Sequence, residues 1–156
     1  EPQRHDAEHS GRDEVMSTTT GLIGEYIAAA SIMERGWRVS MAQQDKVDLV
    51  AWYDDEFLRV QVKSASLIKA RHHQTAGYHF QLAAGNGTTK AKTLPTVQDY
   101  DILLLCAVNA RRCVSFATEQ VNQQSKRVKA SYFEKPDIEA DSWDRAVQIV
   151  RERNRR

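Results

Sequence analysis

Cysteine is almost missing from this chain of 156 residues: Cys106 and Cys113 are the only two. They lack the CxxC spacing and the neighbouring His pairs of a zinc site, and they stand in apolar, β-branched surroundings. The first residues, Glu1 to Glu14, are charged and show no apolar core of a secretion signal. A disulfide is therefore less expected than buried, inert thiols. Long apolar runs are missing too. None approaches the roughly 20 residues needed to span a bilayer, so the expectation is no membrane partner and an intracellular, cytoplasmic protein. There is no Gly-rich phosphate loop, nucleophile elbow or redox motif, which leaves a small-molecule enzyme with little support. No repeat or long linker interrupts the sequence, and its length suits one compact domain with a real core.

Acid is missing as well, but only locally. Net charge is +1, which by itself predicts no partner. From Gln61 to Gln98 there is no Asp or Glu, while Lys63, Lys69, Arg71, Lys90 and Lys92 fall in that stretch together with His72, His73 and His79. A cationic band on a near-neutral protein is the signature of a polyanion-binding surface. A solvated face whose acids lie nearby in space gives the same composition.

Residues 1–17 are polar and irregular, and read as a disordered or weakly ordered segment before a single domain over 18–156. The first periodic element runs from about Thr20 to Arg35. Leu22, Ile23, Tyr26, Ile27, Ala30 and Met33 recur at helical spacing, the Thr run supplies an N-cap, and Gly36 is a C′ stop. Trp37–Ser40 is a short strand candidate. Val47–Tyr53 and Phe57–Ser64 are stronger ones, and their close spacing implies an antiparallel hairpin. Tyr78–Leu82 is a further candidate, followed by the flexible loop Gly85-Asn86-Gly87-Thr88-Thr89. Ile102–Val108 has the continuous apolar pattern of a buried central strand, and Cys113–Ala117 follows it. After a polar, basic stretch, Ser142–Arg153 reads as a closing helix with Trp143, Ala146, Val147 and Val150 on one face. The class is α+β or mixed α/β, with one central sheet flanked by helices.

Chemistry enters through the hairpin. With Asp54 and Asp55 as the central turn residues, Tyr53 faces Glu56 and Asp48 falls opposite Gln61. Lys63, two residues beyond Gln61, projects from the same face, while Val60 and Val62 point to the core. A one-residue slip would destroy this arrangement, and Asp-Asp is not the favoured turn pair. A carboxylate and an amide oxygen can hold a hard divalent cation, and a lysine beside them can orient or deprotonate an attacking water and steady phosphoryl charge. An unremarkable polar hairpin face carries the same residue types.

Asp48, the hairpin and Val60-Gln61-Val62-Lys63 together resemble the PD-(D/E)xK nuclease superfamily. More narrowly, Gly24 to Ser66 is similar to the small endonucleases of that superfamily that include group I intron-associated homing enzymes, in which Gln commonly stands before x-Lys. The likeness covers Gly24-Glu25, Arg35-Gly36-Trp37, Val47-Asp48-Leu49-Val50 and Arg59 to Ala65, about a third of the chain. Asp99-Tyr100-Asp101 is compatible with it. The resemblance implies a restriction-endonuclease-like core, and Mg²⁺ as cofactor with Mn²⁺ as substitute. It makes Asp48 and Gln61 the main metal ligands, the Val62 carbonyl a further one, Glu25 an outer ligand from the first helix and Lys63 the catalytic lysine. Val47 stands where the superfamily name has proline. Gln61 removes one negative charge, which implies weaker metal affinity than a two-acid site.

Under that resemblance the basic band acquires a substrate, double-stranded or branched DNA, and the protein a nucleoid-associated location. Lys69, Arg71, His72, His73, Lys90 and Lys92 would contact phosphates that position without specifying sequence. His72-His73 as metal ligands is the weaker reading, because adjacent residues on an extended segment face opposite ways. Arg151, Arg153, Arg155 and Arg156 either add a phosphate-binding tail or suit a helix C-terminus. Cutting two strands implies a homodimer or homotetramer. Ile32, Trp37 and Tyr132-Phe133 are candidate interface or core residues. Homing-type cleavage, junction resolution and inactive DNA binding on a nuclease fold remain separate possibilities, distinguished by which DNA is cut and whether metal is needed.

Overall fold

In the computed structural model the described residues are 5–83 and 92–156, with side chains described from residue 18 onward. Lys90 and the Gly85–Thr89 loop therefore lie outside the described residues. Helix α1 (His5–Glu34) is followed by strands β1 (Arg38–Gln44), β2 (Val47–Tyr53), β3 (Glu56–Ala65), β4 (Gly77–Gln81), β5 (Ile102–Ala107), β6 (Arg112–Ala117) and β7 (Ser125–Lys129). Helix α2 (Ile138–Asn154) closes the chain, with 3-10 turns at Thr118–Gln120 and Ala130–Glu134. Five strands form one mixed sheet in the order β1-β2-β3-β5-β6, while β4 and β7 form a separate pair. Strand β3 runs parallel to β5, and the other neighbours in the main sheet are antiparallel. The α/β class and the restriction-endonuclease-like core are as expected; the second sheet is not.

Each face of the main sheet has its own core. On one face Ala28, Ala29 and Ile32 of α1 and Trp143, Ala146 and Val150 of α2 pack on Leu49, Leu58, Val60, Val62 and Leu104. On the other, Tyr78, Phe80, Val128 and Phe133 cover Leu103, Leu105 and Val114. Ile102–Ala107 is buried along its whole length, as its unbroken apolar run requires. The edge strand β6 is covered by α2: the Cys113 N–H donates to Glu139 Oε1 at 2.8 Å and the Ser115 N–H to Ser142 Oγ at 3.0 Å.

Three expectations need correction. Helix α1 begins at His5, so the Thr run lies inside it rather than capping it. A polar helical stretch has no apolar stripe and is invisible to periodicity. β1 extends to Gln44 instead of ending at Ser40, continuing through a register irregularity between Met41 and Gln44. The buried stripe of α1 is Ala28, Ala29 and Ile32, whereas Leu22, Ile23, Tyr26 and Met33 of the expected apolar face are each at least 38% exposed. Of the residues read as interface or core, Ile32, Trp37 and Phe133 are at most 7% exposed and belong to the core. The cysteines are free and buried, facing each other across β5 and β6. The Cys106 thiol and burial push the Cys113 thiol well up, which keeps it unreactive. No helix among the described residues is long and apolar enough to cross a membrane.

Candidate active site

The hairpin that carries the site has the register its sequence implies. Tyr53 pairs with Glu56 and the ladder runs back to Leu49 opposite Val60, so the next step brings Asp48 to Gln61. The awkward Asp-Asp turn is accommodated because Asp54 adopts φ 52°, a left-handed conformation that Asp tolerates better than most residues. Asp48 Oδ2 then accepts two hydrogen bonds, from Gln61 Nε2 at 2.9 Å and from the Val62 N–H at 2.8 Å. These bonds fix the carboxylate against β3. They also leave the Gln61 amide oxygen without a hydrogen-bond partner among the described residues. In a strand, the N–H and C=O of one residue point to the same side, so the Val62 carbonyl turns toward Asp48 as well. Its side chain, by contrast, is buried in the α1–α2 core.

Glu25 arrives from α1, and Gly24 explains how. A Cβ at position 24 would lie 1.7 Å from Ser64 Oγ and 2.8 Å from Ser64 Cβ. Only glycine lets the helix pass so close to β3, and that approach carries the neighbouring Glu25 to Asp48. Burial, then the Asp48 charge and a hydrogen bond with Asp48, push the Glu25 carboxyl up to about 7. Two carboxylates are thus held together with no cationic side chain paired to either among the described residues. Lys63 is half-buried on the Gln61 face and has no ion-pair partner among the described residues. Beside it opens a cleft of about 390 Å³ lined by Thr20, Gly21, Val62, Lys63, Ser64 and Ser66.

No group of three or more His, Cys, Asp or Glu able to hold a metal occurs among the described residues. The oxygen set here is instead two carboxylates and a neutral amide, which suits a hard divalent cation. Burial first, and then the Asp48 charge, raise Glu25, and a bound cation would offset both by favouring the charged carboxylate. The residues fit the group.

The basic band divides. Lys69, Arg71, His72 and His73 are all exposed on a ribbon that leaves β3 and returns to β4, closed by bridges between Ile68 and Gly77 and between Arg71 and Gln74. They flank the Lys63 strand but do not join the carboxylates, and His72-His73 forms no metal group. Lys92 reaches Gln81, 3.4 Å from Nζ to Oε1. At the chain's end, Arg151 pairs with Glu56 at 2.6 Å, while Arg153 pairs with Asp101 and Glu119, both at 3.1 Å. Those two arginines hold the fold together. Missed altogether in the sequence were Lys126, Arg127 and Lys129 of β7 and nearby Lys135. The available signal was a second acid-free stretch, from Gln120 to Phe133.

A family model described as PD-(D/E)XK endonuclease matches residues 16–144. The solved structure of a bacterial homing endonuclease superposes with a TM-score of 0.63 at 18% identity, covering 84% of this chain and 93% of that one. A search of curated proteins returns no match.

Proposed function

The chain belongs to the PD-(D/E)XK endonuclease family, and from that premise we propose that it is a Mg²⁺-dependent endonuclease that hydrolyses DNA phosphodiester bonds at the Glu25, Asp48, Gln61 and Lys63 cluster. The observation that carries the reading is the pairing of Glu25 with Asp48 beside Lys63, which has no ion-pair partner among the described residues. Asp48, Gln61 and Glu25, with the Val62 carbonyl, would hold the cation. Once bound, Mg²⁺ (or Mn²⁺) supplies positive charge that offsets the phosphate and activates water. Lys63 orients or deprotonates the attacking water and steadies the negative charge that builds on the phosphoryl group. Asp48, locked by two hydrogen bonds, is preorganised for its part. Lys69, Arg71, His72, His73 and Lys92 grip backbone phosphates.

The fold likeness to a homing endonuclease favours a site-specific, homing-type activity, acting as a homodimer or homotetramer so that both strands are cut. Incubation with supercoiled, linear and four-way-junction DNA, with Mg²⁺ or Mn²⁺ and with EDTA, tests it. Cleavage of linear duplex at discrete positions, only with metal, is expected. Preferential cutting of the junction would make the protein a resolvase. Salt-sensitive binding without cutting under any metal would leave it a DNA-binding protein on a nuclease fold.

A further inference from the structure

The second sheet has a composition of its own. β4 and β7 pair with each other, apart from the main sheet, and both come from acid-free stretches, Gln61–Gln98 and Gln120–Phe133. Their inner face is anchored: Tyr78, Phe80 and Val128 are buried with Phe133, and the Tyr78 and Phe133 rings meet edge-on at 5.3 Å. Strand alternation turns His79 and Gln81 outward. The register sets Arg127 opposite His79, Ser125 opposite Gln81 and Lys129 opposite Gly77. The outer face therefore holds donors and an amide but no carboxylate.

These side chains are also held in place. Arg127 Nη2 donates to the Thr75 carbonyl at 2.6 Å, which leaves the rest of the guanidinium fork free to project. Gly77 makes room for it, since a Cβ there would lie 2.7 Å from the Val128 carbonyl oxygen and 3.4 Å from Arg127 Cζ. The Gln81 amide is braced by His79 Nε2 at 3.3 Å and by Lys92. On the flank of β7, Lys126 Nζ sits 4.8 Å above the Phe116 ring and Lys135 Nζ 4.6 Å above Tyr132. Between them lies a cleft of about 350 Å³ that Arg127 and Lys129 also line.

We propose that the outer face of β4 and β7 enters the DNA major groove and reads base edges, with Arg127 and Gln81 as specificity-determining residues. The proposal rests on the endonuclease reading above. The major groove admits a two-stranded ribbon, the form that this sheet takes. Outward residues on one strand recur every ~6.8 Å, about two base-pair steps of ~3.4 Å. An arginine fork matches the two acceptors of guanine, and a glutamine amide matches the donor and acceptor of adenine. Lys129 and Lys135 contact phosphates along the groove's rim, where a point charge suffices.

The test is selection from a pool of duplexes with a randomised core, bound in EDTA so that nothing is cut, and read by sequencing. Wild type, Arg127→Lys, Gln81→Ala and Lys129→Ala are compared. Wild type is expected to enrich one sequence. Gln81→Ala and Arg127→Lys each lose roughly ten- to hundred-fold preference at one or two positions while still binding the unselected pool. The lysine keeps the charge of Arg127, so lost preference there reports the fork and not electrostatics. Lys129→Ala weakens binding to all sequences alike and lowers the salt dependence. If the Arg127 and Gln81 variants enrich the wild-type sequence unchanged, or wild type shows no preference, the proposal is overturned. If wild type binds no DNA at any salt concentration, the endonuclease reading falls first and takes this one with it.

Discussion

Arg59 and Lys63 project from the same face of β3, about 13 Å apart, and the protein treats them in opposite ways. Every arm of the Arg59 guanidinium is occupied: Nε and Nη2 bond Asp101 at 3.2 Å, Nη1 bonds the Gln98 carbonyl at 2.8 Å and Nη2 the Val97 carbonyl at 2.7 Å. Asp101 also accepts the Arg59 N–H and takes Arg153 from α2. At that end positive and negative charges are matched within the chain. At the Lys63 end they are not: the ammonium has no carboxylate partner among the described residues, and Glu25 and Asp48 crowd each other. Charge that a fold compensates holds the fold together. Charge that it leaves uncompensated, at a cost to its own stability, awaits something from outside.

The largest effect should come from striking the uncompensated end. Lys63→Ala and Asp48→Ala are each expected to slow metal-dependent DNA cleavage by roughly 10²–10⁴-fold. Urea unfolding of Lys63→Ala should shift by no more than about 0.5 kcal/mol, because the lysine makes no ion pair among the described residues. A large stability loss in that variant would dissolve the contrast between the two ends. Asp101→Ala should do the reverse. It strips Arg59 and Arg153 of a shared, largely buried partner, and unfolding should show a loss of about 3 kcal/mol. Next comes Gly24→Ala, which forces α1 off Ser64 and should cost about 2 kcal/mol together with cleavage activity, as Glu25 leaves Asp48. Adding Ser64→Gly removes the clashing atoms and should recover part of both.

A smaller effect sharpens the comparison by pH. The folded Glu25 carboxyl titrates near 7, above its ordinary 4.5, so the folded state binds this proton more tightly than the unfolded chain. The metal-free protein therefore has this contribution in full below about pH 4.5 and loses it as pH rises through 7. Melting between pH 5 and 8 in EDTA should show that decline, and Glu25→Gln should flatten it. Smallest of all, Lys69→Ala should lower the slope of log affinity against log salt by about 1, with no change in melting.

The hairpin that carries the candidate site was legible because alternation and a tight turn determine register locally, and Asp48, Gln61 and Lys63 all lie within one such unit. Helix α2 was legible through its own period, with Trp143, Ala146, Val147 and Val150 on the buried face, whereas α1 was legible as a helix but not in its buried stripe, which is Ala28, Ala29 and Ile32. Glu25 needed the family pattern, since nothing in its own sequence window distinguishes it from an exposed helical glutamate. Its place depends on Gly24 meeting Ser64, a contact between distant parts of the chain. β7 was unreadable for a related reason. Ser125–Lys129 has one buried residue, Val128, and becomes a strand only because β4 is there to pair with it. The sequence left the C-terminal arginines as either a phosphate-binding tail or cations suited to a helix end; in the structure Arg151 meets Glu56, and Arg153 meets Asp101 and Glu119, pairings between distant parts of the chain.

The central claim is that the unmatched charges beside β3 form a working metal-dependent nuclease centre. Cleavage of a linear duplex carrying a selected target, followed over time with Mg²⁺ for wild type, Lys63→Ala and Lys69→Ala, tests it most directly. The account predicts cutting by wild type that EDTA stops, loss of roughly 10²-fold or more in Lys63→Ala, and only weakened binding in Lys69→Ala. Equal cutting by wild type and Lys63→Ala, or cutting that persists in EDTA, would contradict it.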